Sequence, residues 1–316
     1  MIAFLLRRLG LFVASLFFAS IVIFILLRLV PGDLAKVIGG INASPERLAV
    51  LRHQLGLDRS LVSQYGHWIT RALHGDFGKS ALNGQSAAGE LWSKLQLTGP
   101  LVLASTVLSI LIAVPLGIYA AARHRNTDGI VLSAGSQLGI ALPSFWVGLM
   151  LIVVFAVHWR LFPSSGFPLD GWSATGKAVK SLVLPTITLA LSQGAVLFRF
   201  VRSSTLEVLN QDYIRTARAK GLTRTQALWR HGLRNASIPI VSILGVQIAS
   251  LIAGLVIIER TFALGGVGSM LVKDIGDRDF EKVQGTVLLL AAFVLLVGFV
   301  VDIVHRLIDP RLRVGQ

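Results

Sequence analysis

Gly129–Trp159 reads GIVLSAGSQLGIALPSFWVGLMLIVVFAVHW, 31 residues without an Asp, Glu, Lys or Arg. A helix that crosses a bilayer needs roughly 17 to 25 apolar residues, so this run is long enough. Five more charge-free runs pass the same test: Leu9–Leu27 (19 residues), Leu95–Ala122 (28), Ser181–Phe198 (18), Asn235–Ile258 (24) and Val283–Val301 (19). The next longest, Thr261–Val272, has 12 residues and three glycines, too short to span as a helix. A buried helix of a soluble domain accounts for one such run, not for six in 316 residues. The fold class is therefore all-α, a polytopic membrane protein with six transmembrane helices. Composition agrees: 53% of the chain is hydrophobic and 15% charged, with a mean hydropathy of +0.71, against about 25% charged in an ordinary soluble domain.

The first run follows Arg7-Arg8, as in a signal peptide. It is longer than the apolar core of one, and Leu27-Arg28-Leu29-Val30-Pro31 offers no small-x-small cleavage site. It reads as a retained anchor. The net charge of +14 is first a topology signal. The N-terminus, loops 2–3 and 4–5 and the C-terminus hold 15 Lys/Arg against five Asp/Glu, whereas loops 1–2, 3–4 and 5–6 hold 14 against 11. The positive-inside rule then puts both termini in the cytoplasm of a multi-pass inner-membrane protein, and nucleic acid is not an expected partner. With no cysteine in the chain, disulfides and thiol chemistry are excluded.

Four segments follow: the N-terminal end and first helix (1–30), an extracytoplasmic loop (31–94), a membrane core (95–304) with a cytoplasmic loop at 199–234, and a cytoplasmic tail (305–316). The extracytoplasmic loop reads as a small helical subdomain. Ser44-Pro45-Glu46 is an N-cap, a proline at N1 and an acid in the first turn. That helix should run to Leu55 and stop at Gly56, and Ser60 can cap a second ending near Gly75. The subdomain either docks a partner or covers the bundle. Gly75-Asp76-Phe77-Gly78-Lys79-Ser80 imitates two nucleotide motifs. As a phosphate loop it lacks the first glycine, since Leu73 stands there. As a kinase Asp-Phe-Gly it has no companion elements. The chain carries no ATPase site of its own, and no catalytic or metal-binding set is expected.

Pro115, Pro143 and Pro185 lie inside the runs and favour kinks. Polar residues lie there too. Ser136, Gln137, Ser192, Gln193, Gln247 and Ser250 are candidates for a translocation path, although Ser, Thr and Gln also glue membrane helices together. Gly135-x-x-x-Gly139 is a close-packing pattern. No ionisable residue sits in the middle of any run. A proton- or ion-coupled transporter usually needs one, so the driving energy should arrive from outside the bilayer.

Loop 4–5 runs Arg199 to Arg234. One helix should end with Gly221 as its C′ residue and Lys220 in its last turn, and a second should cover Thr225–Leu233. Helix, glycine, helix makes a short rigid knob that another protein can grip. A basic helix lying on anionic lipid is the alternative.

This stretch resembles the signature loop of binding-protein-dependent ABC importer permeases: Glu-Ala-Ala, three residues, Gly, nine residues, Ile-x-Leu-Pro. Aligned on Gly221, the first positions are Arg215, Thr216 and Ala217, and the last are His231, Gly232, Leu233 and Arg234. The form here, Tyr213 to Leu222 followed by His231-x-Leu233-Arg234-Asn235-Ala236-x-Ile238-Pro239, is similar to that of the dipeptide/oligopeptide/nickel branch. So are Arg28-Leu29-Val30-Pro31-Gly32-Asp33, Leu142-Pro143-Ser144-Phe145-Trp146, Leu184-Pro185-Thr186-Ile187-Thr188-Leu189 and Asp309-Pro310-Arg311-Leu312. The long loop 1–2 resembles that of the first permease subunit of such systems.

The resemblance implies a type I ABC importer transmembrane fold and a set of partners. These are a second homologous permease, two cytoplasmic ATPase subunits or one fused ATPase, an extracytoplasmic substrate-binding protein, and membrane lipid. ATP and Mg2+ would be bound by the ATPases and no cofactor by this chain. The ATPase-coupling residues would be Tyr213, Arg215, Ala217, Arg218, Ala219, Lys220, Gly221 and Leu222. Small Ala217, Ala219 and Gly221 would permit close approach. Arg215 departs from the acidic residue of the pattern, so the ATPase groove should offer carboxylates or a helix C-terminus. Phe262, Leu264, Gly265, Gly266 and Val267 would face the binding protein or form a packing loop. The cargo would be a dipeptide or oligopeptide, with nickel chelates or glutathione as alternatives. A stand-alone secondary transporter fits poorly with charge-free spans.

Overall fold

The computed structural model describes residues 2–29, 35, 39–40, 43–54, 56–80 and 82–308. Pro31-Gly32-Asp33, the expected helix end at Leu55 and the Asp309-Pro310-Arg311-Leu312 tail lie outside these residues. Helices make up almost all regular structure among the described residues: α1 (Ile2–Leu29), α2 (Pro45–Gln54), α3 (Leu61–Leu73), α4 (Ala87–Ala122), α5 (Thr127–Ala141), α6 (Ser144–Leu151), α7 (Thr175–Leu209), α8 (Asp212–Ala219), α9 (Arg224–Ala227), α10 (Leu233–Thr261), α11 (Val267–Gly276) and α12 (Phe280–Ile308). Five are long and apolar enough to cross a membrane.

The sixth span differs from expectation. The uncharged run Gly129–Trp159 is not one straight helix. α5 and α6 meet at a bend of 100°. The ring of Pro143 bars the helical conformation for Leu142, whose ψ of 128° is extended, and Pro143 itself becomes the N-cap of α6. α6 continues as a π-turn over Ile152–His158. Pro115 and Pro185, by contrast, remain inside α4 and α7.

The chain divides into two compact units. One comprises residues 1–97 and 266–299. Ser60 caps α3 as expected, its Oγ accepting from Ser63 N, and Ser44 Oγ accepts from Arg47 N at the start of α2. Trp68 and Ala72 of α3 are buried with Ile23 and Phe24 of α1 and Leu288 of α12. The Gly75–Ser80 stretch that imitates nucleotide motifs is a corner on the start of α12. The Arg71 guanidinium holds the Asp76 carboxyl below the usual carboxylate range, helped by the Gly78 N–H. Arg71 also reaches Glu281 Oε1 at 3.0 Å. Gly78 has φ +93°, open to glycine, and a Cβ on Gly285 would collide with the Phe77 carbonyl. In the same unit Lys282, 3% exposed, bridges Glu90 Oε2 at 2.7 Å and Asp274 Oδ1 at 2.8 Å. Burial pushes the Asp274 carboxyl up, and the Lys282 ammonium opposes that shift.

The other unit comprises residues 98–265 and 300–316. Its centre is Ala113 and Ala120 of α4, Leu197, Phe198 and Val201 of α7, and Ile240 of α10. Gly139 approaches Ala195, but a Cβ on Gly135 would meet nothing within 4 Å, so only one of the two paired glycines serves close packing.

Candidate coupling site and translocation path

α7 runs past the membrane-length run to Leu209, and the chain turns at Asn210 and Gln211 into α8. The end of α8 is fully determined by hydrogen bonds. Gly221 N donates to Arg218 O at 3.0 Å and Leu222 N to Ala217 O at 3.3 Å, the paired bonds of a Schellman motif. Gly221 takes the left-handed conformation that this motif needs, φ +94°. Leu222 folds back on the apolar cluster that contains Ala217. Thr223 then opens α9 with a reciprocal capping box to Gln226. The expected second helix is not a separate element. α9 passes through a π-turn, Leu228–Gly232, directly into α10.

α8 is held by one apolar face. Ile214 is fully buried and Ala217 nearly so, against Val208, Leu209, Ala227, Leu228 and Ala236. Gly232 makes this fit possible: a Cβ there would lie 2.8 Å from Leu228 Cδ1 and 2.9 Å from Val208 Cγ1. Ser204 Oγ donates to Ala236 O at 3.0 Å and ties α7 to α10 beside it. The exposed face presents Arg215, Arg218, Ala219, Lys220 and Gly221. Tyr213 OH accepts from Asn235 Nδ2 at 2.9 Å. Of the small residues expected to admit a partner, Ala217 points into the chain's own core, which leaves Ala219 and Gly221. Arg215 is paired with Asp212 at 3.2 Å, so its charge is partly balanced within α8.

α8 is thus a short amphipathic helix packed on the ends of two membrane-length helices, with its charges outward. Comparison with known proteins fits this geometry. Residues 113–314 match the family described as binding-protein-dependent transport system inner membrane component, and residues 1–88 match its N-terminal model. The chain belongs to this family. Dipeptide transport system permease protein DppB of Escherichia coli strain K12 is 36% identical, with 99% of each chain covered. Glutathione transport system permease protein GsiC of the same strain is also 36% identical, over 97% of each. Among solved structures, a chain of the inward-facing MetNI methionine ABC transporter superposes with a TM-score of 0.54 at 19% identity, covering 69% of this chain and 96% of that one. That likeness shows the fold, that of an ABC importer transmembrane subunit.

The candidate path residues of this permease fall into two groups. Gln247 Nε2 donates to the backbone carbonyl of Gln193 at 3.0 Å and joins α10 to α7, while the Gln193 side chain itself makes no hydrogen bond among the described residues. Ser136 and Ser250 donate to carbonyls of their own helices, Ser133 O and Val246 O. Ser192 is half-buried and makes no hydrogen bond among the described residues. Gln137 is exposed on α5, and its amide makes none either. An unpaired amide facing hydrocarbon costs several kcal/mol, roughly the loss of a hydrogen bond to each end.

The loop expected to face the binding protein or to form a packing loop is mostly buried. Phe262, Leu264 and Val267 are buried, and only Ala263 and Gly265 are exposed. Phe262 sits against Gly148 and its carbonyl accepts from Gly166 N at 2.8 Å. One turn before it lies Glu259, fully buried in α10, with Thr98 Oγ1 donating to its Oε1 at 2.8 Å. Glu259 and Lys282 escaped the sequence reading because each sits one residue outside a charge-free run. The signal available was an acid–base neighbour pair, Glu259-Arg260 and Glu281-Lys282, at the edge of an apolar run.

Proposed function

We propose that this permease forms one half of the membrane path of an ABC importer for dipeptides or short peptides. A second, homologous permease forms the other half, and separate ATPase subunits, carrying ATP and Mg2+, drive the cycle. One ATPase grips α8 in the cytoplasm, with both termini of the permease on that side. A binding protein delivers cargo to the opposite face. The chain itself is a conduit without ATPase activity. The observation that carries the reading is α8 itself. Its buried Ile214 and its tight seat at Gly232 make any displacement of the helix a displacement of α7 and α10. Arg218, Lys220, Ala219 and Gly221 are left free to meet the ATPase.

Support for peptide cargo comes from the two curated permeases: dipeptide and glutathione both carry peptide bonds. Gln137, with a free amide donor and acceptor, is the side chain best suited to meet such a group in transit. Ser192 is the second candidate.

Gly221→Leu tests the coupling. A side chain at φ +94° costs about 1–2 kcal/mol of local strain and adds bulk at the gripped surface. ATP hydrolysis by the assembled complex should persist while peptide import in proteoliposomes falls at least tenfold; unchanged import would sink the assignment. Orientation is checked by single cysteines placed at Ala219 and at Ser86 of this cysteine-free chain. In whole cells a membrane-impermeant maleimide should label the second and spare the first.

A further inference from the structure

α3 belongs to the loop between the first two spans, yet it stands against the apolar run of α1. Tyr65 OH lies 2.9 Å from Ser20 Oγ. Ser20 Oγ gives its one proton to Phe17 O at 2.6 Å, so the phenol is the donor to it. The Tyr65 ring meets Phe17 and Phe24 edge-on, with centroids 6.5 and 5.5 Å away, and Trp68 stacks on Phe24 at 6.2 Å. Arg28 is the first charge of α1 beyond this run, and Ser20 lies eight residues before it, about 12 Å along the axis. α12 gives a similar depth. Leu288, buried in one cluster with Trp68 and Ala72, lies six residues past Lys282, the last charge before its run, about 9 Å along the axis. Half of a hydrocarbon core is about 15 Å thick.

The rest of α3 has two unlike edges. Val62, Ile69 and Leu73 stand in line at i, i+7 and i+11, and Val62 and Leu73 are 81% and 80% exposed. Ser63, His67, Thr70 and His74 form a second, exposed edge, roughly 100° around the helix. Two of these polar groups close on their own backbone: Thr70 Oγ1 donates to Gly66 O at 2.7 Å, and His74 Nδ1 lies 2.8 Å from Thr70 O.

We propose that α3 is seated in the extracytoplasmic leaflet, with Val62, Ile69 and Leu73 against lipid acyl chains and the Ser63–His74 edge turned to water. Depth names the occupant. An apolar edge beside the α1 run meets the same surroundings as the α1 face itself, where Phe17, Phe18, Ile25 and Leu26 are each half exposed or more. One apolar and one polar edge is the form of a helix that lies in a bilayer interface. The Tyr65–Ser20 bond suits that place, since a hydroxyl among acyl chains needs a partner within the protein. Of the two uses open to this loop, docking a partner or covering the bundle, α3 serves the second, as a cover that faces lipid. The side named for the leaflet rests on the proposed orientation; the immersion rests only on α1 crossing the membrane.

Fluorescence quenching in the reconstituted transporter reads the placement directly. Val62→Cys, Leu73→Cys, Ser63→Cys and His67→Cys each give this cysteine-free chain one site for a bimane label, and Phe18→Cys of α1 supplies the lipid reference. All five side chains are exposed, so the packing of α3 on α1 is kept; the unsubstituted transporter carried through labelling sets the background. In phosphatidylcholine vesicles, lipid brominated along its acyl chains should quench the labels at Val62 and Leu73 as fully as the one at Phe18. Iodide present on both sides of the vesicle should leave those two bright. Labels at Ser63 and His67 should show the reverse. Iodide quenching at Val62 and Leu73 would overturn the proposal by placing that edge in water. Protection of both from either quencher would overturn it by assigning the edge to a protein partner. The same response at all four positions would overturn it as well, because no edge would then divide lipid from water. The expected pattern in a transporter that imports no peptide would leave α3 in the leaflet and count against the importer reading.

Discussion

Around α8 the packing is apolar and the charges are outside: Ile214 is buried against Leu228 and Val208, while Arg218 and Lys220 are exposed. Around Lys282 the charges themselves are inside, with Glu90 and Asp274 closing on one ammonium. A buried ion pair gains little over apolar packing but is costly to break. Such a cluster fixes one arrangement of α11 and α12 with α4. Outward charges on an apolar base have the opposite property. They can be exchanged for those of another protein without disturbing the fold beneath. The first region is suited to being handled and the second to staying where it is.

Removing the ammonium gives the largest expected effect. Lys282→Ala strands two carboxylates and should cost about 3–5 kcal/mol, read as a lower thermal unfolding midpoint and poor accumulation of the protein. Lys282→Met combined with Glu90→Gln and Asp274→Asn should recover most of that loss; no recovery would mean that the cluster is not the source of it. Ile214→Ala should follow, at about 2–5 kcal/mol. Here the damage should be local, seen as protease cleavage between 199 and 234 and as ATP hydrolysis without import. Global unfolding instead would erase the distinction between the two regions. Arg215→Ala should leave stability unchanged, since both partners of its pair with Asp212 are exposed. Any change should appear in the affinity of the ATPase for the membrane complex. The smallest structural effect belongs to Gln137→Leu, which should match wild type in unfolding and ATPase coupling yet transport peptide more slowly. Identical transport rates would remove Gln137 from the path.

Charge-free runs made the membrane class legible at once, because burial in hydrocarbon forbids charge at low cost. They did not give direction. The Gly129–Trp159 run counts as one span by length, yet Pro143 turns it through 100°. Hydropathy records what a residue avoids, not where the backbone goes. The caps at Ser60 and Gly221 were legible because their chemistry is local. That Ala217 is buried and Ala219 exposed follows from helical register around Ile214. That the Gln247 amide finds a carbonyl on a neighbouring helix while that of Gln137 does not is a tertiary fact. The fate of the Phe262–Val267 loop was tertiary too, because its apolar side chains suit an external groove and an internal one equally.

The π-turn at Leu228–Gly232 has a practical consequence for mutagenesis. A π-turn closes i→i+5 bonds inside a helix that otherwise closes i→i+4, so residues after it fall out of angular step with those before. A substitution scan from Arg224 into α10 should show two helical periodicities of sensitivity, offset from one another at 228–232. Fitting one continuous phase across the junction would assign the path-facing side of α10 to the wrong residues.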